Sequence, residues 1–267
     1  MYFNLLKNKY IKNIFEKNFS IFNYNDYKLS NIKNIFEKKE KILFSSCYIE
    51  IYPNAGGIET NQLIKYFTDF YYKWLKKNHF DVEIIFCDIS DYGYKKSILF
   101  INNECSFFLF KNESGIHRII RKNPLITNNK IQTSYINIII IPKLTNNKLL
   151  LKKEDIIIET FKSKGPGGQH VNNTNSAIRI KHIPTNIVVV CQSERSQLKN
   201  KNFAFKILEY KFFLQNNKNY DSYFKKLNNK KYIKTYYFEN NLIINHYKNE
   251  KYNLNKFFKF EIDFIKI

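Results

Sequence analysis

The chain has 267 residues, with 44 Lys and Arg against 23 Asp and Glu and a formal net charge of +21. That length suits two or three domains with real cores, and that charge favours a polyanionic partner held with strong salt dependence. The composition excludes a membrane-spanning segment and a disulfide or zinc scaffold: Ile138–Ile141 stops at Pro142, and Cys47, Cys87, Cys105 and Cys191 show no ligand spacing and read as reduced, mostly buried residues.

Residues 1–43 read as a short, Lys-rich helical arm, with Ile32, Ile35 and Phe36 at helical spacing. Met1–Phe15 alternates apolar residues with Lys and Asn, so it lacks a secretory apolar core and leaves a basic transit sequence open. A strand is expected over Tyr48–Tyr52, ended by Pro53-Asn54-Ala55-Gly56-Gly57. A helix then starts near Ile58-Glu59, with Leu63, Phe67, Phe70, Tyr71 and Trp74 as its apolar face. Strands are expected at about 82–89, 97–102 and 105–110, then a polar, basic segment over Lys111–Gln132, then a β-branched strand over Thr133–Ile141. Thr145–Lys148 reads as a linker. Beyond it come strands at about 155–160, 176–181 and 187–191, the last two joined by a turn at Pro184-Thr185-Asn186, and a helix from Ser193 through Tyr210. A strand over Lys234–Phe238 and a C-terminal helix close the chain. The expected fold class is multidomain α+β, divided as 1–43, 44–147, 148–222 and 223–267.

Lys, Asn, Ile, Tyr and Phe dominate the sequence, whereas Gly (7), Pro (5) and Arg (4) are scarce, as in a genome under AT pressure. Gly165-Pro166-Gly167-Gly168 is therefore exceptional, and it marks a place where the backbone itself must adopt a special conformation or approach a ligand closely. The four arginines, Arg118, Arg121, Arg179 and Arg195, all fall between 118 and 195. Their rigid fork suits phosphate in a way that Lys does not match, so nucleic acid is the expected partner. The P-loop pattern is excluded, because Gln169-His170 stands where Lys-Ser/Thr would be needed, and GxGxxG is absent.

Gly167-Gly168-Gln169 followed by His170-Val171-Asn172 resembles the class I peptide chain release factors of bacteria and organelles. The resemblance continues through Ser176–Ile180, His182–Thr185 and Cys191–Gln197. Upstream it includes Cys47–Ile51, Gly56–Glu59 and Glu113–Lys122, and near the C-terminus Ile233–Phe238 with His246. It implies a codon-recognition domain at 44–147, a domain carrying the Gly-Gly-Gln loop at 148–222, and a C-terminal domain at 223–267 packed on the first. It also implies hydrolysis of peptidyl-tRNA in the ribosomal peptidyl transferase centre, triggered by Gly167, Gly168 and Gln169 rather than performed by a free-standing enzyme. The Gln169 N–H would stabilise charge developing on oxygen. N5-methylation of Gln169 by a glutamine methyltransferase is part of the same implication, as are contacts to rRNA by Arg118, Arg121, Arg179 and Arg195. The implied partners are the ribosome with its mRNA stop codon and P-site tRNA, and a release-factor GTPase meeting the shortened arm. No metal, cofactor or membrane is implied, and the compartment is the cytoplasm or an organelle.

Codon recognition would fall to Gly57, Glu59, Asn123, Pro124, Leu125, Gln132 and Thr133. Arg121-Lys122 before Asn123-Pro124-Leu125 looks like the type 2 factors, which read UAA and UGA, and Asn123 can both donate and accept. Three positions depart from the family pattern: Gln132 stands where a stacking His is expected, Leu125 where Phe is expected, and Asn173 where Arg is expected. A Gln amide offers a smaller π-face than imidazole, so weaker base stacking is expected. Two other readings stay open on sequence alone, a codon-independent ribosome-rescue hydrolase and a non-hydrolytic basic RNA-binding protein.

Overall fold

A computed structural model of the chain describes residues 45–122, 130–143, 153–162, 175–192, 194–216 and 232–261. The expected N-terminal arm and the 144–148 linker lie outside these residues. The described residues form two compact units, one centred on an eight-stranded sheet and one on a three-stranded sheet.

In the first unit, strand β1 (Cys47–Ala55) leads into helix α1 (Glu59–Lys77), followed by β2 (Val82–Ser90) and β3 (Gly93–Ile101). Helix α2 (Ser106–Phe110), β4 (Gly115–Lys122) and β5 (Ile131–Pro142) come next; β9 (Lys234–Tyr237), β10 (Leu242–Asn245), β11 (Glu250–Asn253) and helix α4 (Leu254–Phe258) return from the far end of the chain. The sheet order is β11-β10-β9-β4-β5-β1-β3-β2, with β4 and β9 parallel.

Alternation explains how β1 and β5 bury one face. Ile49 sits opposite Ile140 and Ile51 opposite Ile138, and all four are fully buried. Helix α1 lays Leu63, Phe67, Tyr71 and Trp74 against that face, matching the expected apolar stripe. Each such side chain contributes roughly 1.5–3 kcal/mol when fully buried. The C-terminal segment closes the same core, with Tyr236 edge-on to Phe67 at 5.2 Å and Phe257 stacked on Phe70 at 4.9 Å.

Two expectations for this unit are corrected. Residues 106–110 form α2 rather than a strand, after Cys105 at φ 65°: Ser106, Phe107, Leu109 and Phe110 are all buried, and so short a run of mostly apolar residues has no period to separate strand from helix. Within 111–132, read as a polar segment, Gly115–Lys122 is a full strand paired along its length with β5. Its core-facing positions include His117, whose polarity masks the pattern. The β10–β11 hairpin is a further element that the sequence did not signal.

In the second unit, β6 (Ile156–Phe161), β7 (Ala177–His182) and β8 (Ile187–Cys191) form an antiparallel sheet. Helix α3 (Gln197–Asn216) packs on β7 and β8 and buries Ala204, Ile207, Leu208 and Tyr210. It begins at Gln197 rather than Ser193. The β7–β8 turn falls at the expected place, with Asn186 at φ 54° and His182 Nδ1 2.7 Å from the Thr185 hydroxyl.

Candidate functional site

In the first unit, the chain enters α1 through an irregular corner. The β1–β5 register shifts between Pro53 and Ala55, a bulge where proline supplies no ladder N–H. Gly56 follows at φ 144°, and a Cβ there would lie 2.3 Å from the Thr60 methyl. Only glycine fits this corner without displacing the first turn of α1.

Glu59 organises that turn. Its Oε1 accepts from the Gly57 N–H at 2.9 Å and from the Ser134 hydroxyl at 3.4 Å. Its carboxylate also sits in the first turn, where the helix dipole favours negative charge. The Thr60 hydroxyl donates to the Gly57 carbonyl at 2.7 Å and closes the turn from the other side. The Thr60 and Asn61 N–H groups donate to the Gly57 and Ile58 carbonyls at 3.1 Å, and Ile58 projects from the same corner, 56% exposed.

Strand β4 brings Arg121 to the same place. Its Nη2 donates to the Glu59 carbonyl at 3.2 Å, and Nε is buried without a partner. Burial lowers the guanidinium pKa, with Glu59 and Tyr66 opposing the shift. Gln132 is the cross-strand partner of Arg121, and Ser134 lies two residues along, so Gly57, Glu59, Arg121, Gln132 and Ser134 share one end of one sheet face. Thr133 and Arg118 alternate to the other face. There the Arg118 guanidinium lies 4.8 Å over the Tyr232 ring and donates to the Tyr237 hydroxyl at 3.3 Å. Tyr135 stacks on Tyr232 at 5.6 Å. Asn123, Pro124 and Leu125 lie outside the described residues, in the connection between Lys122 and Ile131, which are Cα partners.

Behind Arg121 the sheet holds a buried polar group. Lys234, 1% exposed, pairs with Glu113, 5% exposed, at 2.5 Å; the Tyr71 hydroxyl donates to the other Glu113 oxygen at 3.0 Å. His117 Nε2 is 2.9 Å from the Glu113 carbonyl and Nδ1 is 3.0 Å from the Tyr236 hydroxyl. A carbonyl can only accept, so Nε2 carries the proton and Nδ1 accepts from Tyr236. Burial pushes the His117 pKa down to about 4.

In the second unit, Gly167, Gly168 and Gln169 lie outside the described residues, between β6 and β7, whose ends Phe161 and Ala177 are Cα partners. Arg179 is exposed on β7 and makes a 3.5 Å pair with Glu159, of the solvated kind that contributes about 0–1 kcal/mol. Arg195 is exposed just before α3. Among the described residues no three His, Cys, Asp or Glu come together as a metal-ligand set, and no helix is long and apolar enough to cross a membrane.

Two residues of this arrangement were not picked out by sequence. Ser134 could have been, since it lies two residues from Gln132 in the strand and so shares its face. Asn200, fully buried at the root of the segment between β6 and β7, carries no signal among so many asparagines.

Comparison with known proteins gives two domain matches, a PCRF domain over residues 7–138 and an RF-1 domain over 145–248. Peptide chain release factor 2 of Thermosipho melanesiensis is 38% identical over 176 residues, 65% of this chain and 48% of that one. Peptide chain release factor 2 of Aliarcobacter butzleri is 40% identical over 171 residues, 63% of this chain and 47% of that one. The chain therefore spans about half the length of the curated relatives it matches. Among solved structures, RF2 of Thermus thermophilus aligns with a TM-score of 0.68 at 27% identity, covering 81% of this chain and 64% of that one.

Proposed function

Because the chain belongs to the class I peptide chain release factors and is most similar to their type 2 members, we propose that it terminates translation. It recognises UAA and UGA in the ribosomal A site and triggers hydrolysis of the peptidyl-tRNA ester. The observation that carries this reading is the presence of both the PCRF and the RF-1 domain on one chain. A rescue hydrolase needs only the second of these.

The first unit is the reading end in this proposal. The Gly57–Glu59 corner presents helix N-terminal N–H groups to the first base, which is uracil in every stop codon. Asn123-Pro124-Leu125 would read the second base from the adjacent β4–β5 connection, with Gln132 and Thr133 at its base. Arg121, bonded to the Glu59 carbonyl, supports this reading by joining the strand that leads to Asn123 to the helix corner. Gln132 in place of a stacking imidazole makes codon affinity weaker than a His would.

The second unit is the hydrolytic end. Gly167 and Gly168 allow the backbone to aim the Gln169 N–H at the oxyanion formed when water attacks the ester carbonyl. The Gln169 side chain, N5-methylated by a glutamine methyltransferase, limits the space to a water-sized nucleophile. The ribosome supplies the remaining groups, so the protein triggers the reaction rather than performing it alone. Exposed Arg179 and Arg195 suit phosphate contacts to rRNA, whereas Arg118 and Arg121 use part of their donor capacity within the protein. A release-factor GTPase is the partner proposed for residues 1–43, and the cytoplasm or an organelle is the compartment.

The test is Gln169→Pro in the full chain on stop-programmed ribosomes, because proline alone has no backbone N–H to donate. The release rate should fall roughly 100-fold or more, the range for losing an aligned oxyanion donor. Ribosome affinity should stay within about twofold. Equal loss of affinity and rate would remove Gln169 from the hydrolytic role.

A further inference from the structure

We propose that Asn200 is a positioning residue for ester hydrolysis, holding the root of the segment that carries Gly167–Gln169; this rests on reading the chain as a release factor. The side chain is 0% exposed, and all four of its hydrogen-bonding positions are used. Nδ2 donates to the Ser176 carbonyl at 2.8 Å and to the Glu194 carbonyl at 2.7 Å. Oδ1 accepts from the Glu194 N–H at 2.9 Å and the Cys191 thiol at 3.6 Å. One amide thus joins the approach to β7, the end of β8 and the stretch Glu194–Ser196 that enters α3.

The neighbouring carbonyl is held by the same helical turn. Gln197 Nε2 donates to the Asn175 carbonyl at 2.8 Å, so two consecutive carbonyls are fixed to α3 before the chain reaches β7. The other limb is fixed by the sheet, through Phe161 opposite Ala177. These anchors fix Phe161 and Asn175–Ala177 on either side of the segment. Catalysis by a backbone N–H is sensitive to how its flanks are held, because a misplacement of about 1 Å costs on the order of 100-fold.

No other side chain reproduces the set. Asp at 200 keeps the acceptor side but cannot donate when ionised, so it leaves the carbonyls of Ser176 and Glu194 facing a carboxylate. Gln adds a methylene to a filled site. Ala leaves buried backbone groups unpaired.

The experiment measures single-turnover peptide release on stop-programmed ribosomes, with factor concentration varied, for the full wild-type chain, Asn200→Asp and Gln197→Ala. Thermal melting sets a temperature at which each protein is folded. Asn200→Asp should lower the saturating release rate at least about tenfold while the half-saturating concentration stays within about twofold, the pattern of an interaction that matters in the transition state. Gln197→Ala, which loses one exposed hydrogen bond, should lower the same rate by about two- to fivefold. If both variants release at the wild-type rate once folded, or lose affinity in step with rate, Asn200 has no positioning role. Should Asn200→Asp fail to fold, Gln197→Ala decides alone. If the wild-type chain itself releases nothing, the functional reading fails, and Asn200's role with it.

Discussion

Arg121 donates from Nη2 to the backbone carbonyl of Glu59 across 3.2 Å, joining strand β4 to the first turn of α1. The bond bridges the two parts of the chain to which codon reading is assigned. Arg121→Ala should therefore loosen their spacing, costing about 1–3 kcal/mol of stability. Stop codons should also be less well discriminated from sense codons in a ribosome-binding competition. Arg121→Lys should recover part of the stability, since an ammonium can still reach a carbonyl, and less of the discrimination, since the fork is lost.

The Glu113–Lys234 pair gives a stability prediction. Both side chains are almost wholly buried, and removing one partner leaves an uncompensated charge. Lys234→Met should destabilise the first unit by about 3–5 kcal/mol in denaturant titration. Adding Glu113→Gln should restore part of that loss, because the orphaned charge is then gone. A double variant no better than the single one would show that the two side chains act independently.

His117 gives a pH prediction. Its pKa is about 4 in the folded chain against an ordinary 6.5, so the unfolded state binds the proton first as pH falls. The stabilising contribution is complete above pH 6.5 and declines towards pH 4, by about 3 kcal/mol in total. His117→Asn should flatten the difference curve between pH 6.5 and 4 when unfolding is measured in parallel with wild type. A wild-type curve that rises as pH falls through this window, relative to the variant, would contradict the assignment.

Helix α1 was legible because Leu63, Phe67, Phe70, Tyr71 and Trp74 repeat at its own period and bury there. Strands β7 and β8 of the second unit were legible because buried Ile178, Ile180 and Val189 are interleaved with exposed Arg179, Lys181 and Val190. Strand β4 was not, since its core-facing residues include His117 and Arg121. Their partners, Tyr236 and the Glu59 carbonyl, lie 119 and 62 residues away. Polarity at those positions reads as exposure until the distant partners are known. Of the candidate site, the glycines and arginines stood out because this chain has so few of them. Ser134 and Asn200 did not, because short polar residues abound and only the fold distinguishes a saturated buried amide from a surface one.

The central claim is that hydrolysis at one end of this protein obeys a codon read at the other. Single-turnover peptide release, measured on ribosomes carrying UAA, UGA, UAG or a sense codon in the A site, tests it most directly. Release on UAA and UGA should exceed release on the sense codon by roughly 100-fold or more, with UAG close to the sense codon. Equal release on all four would make the protein a codon-blind hydrolase trigger, and ribosome binding with no release on any would contradict the account altogether.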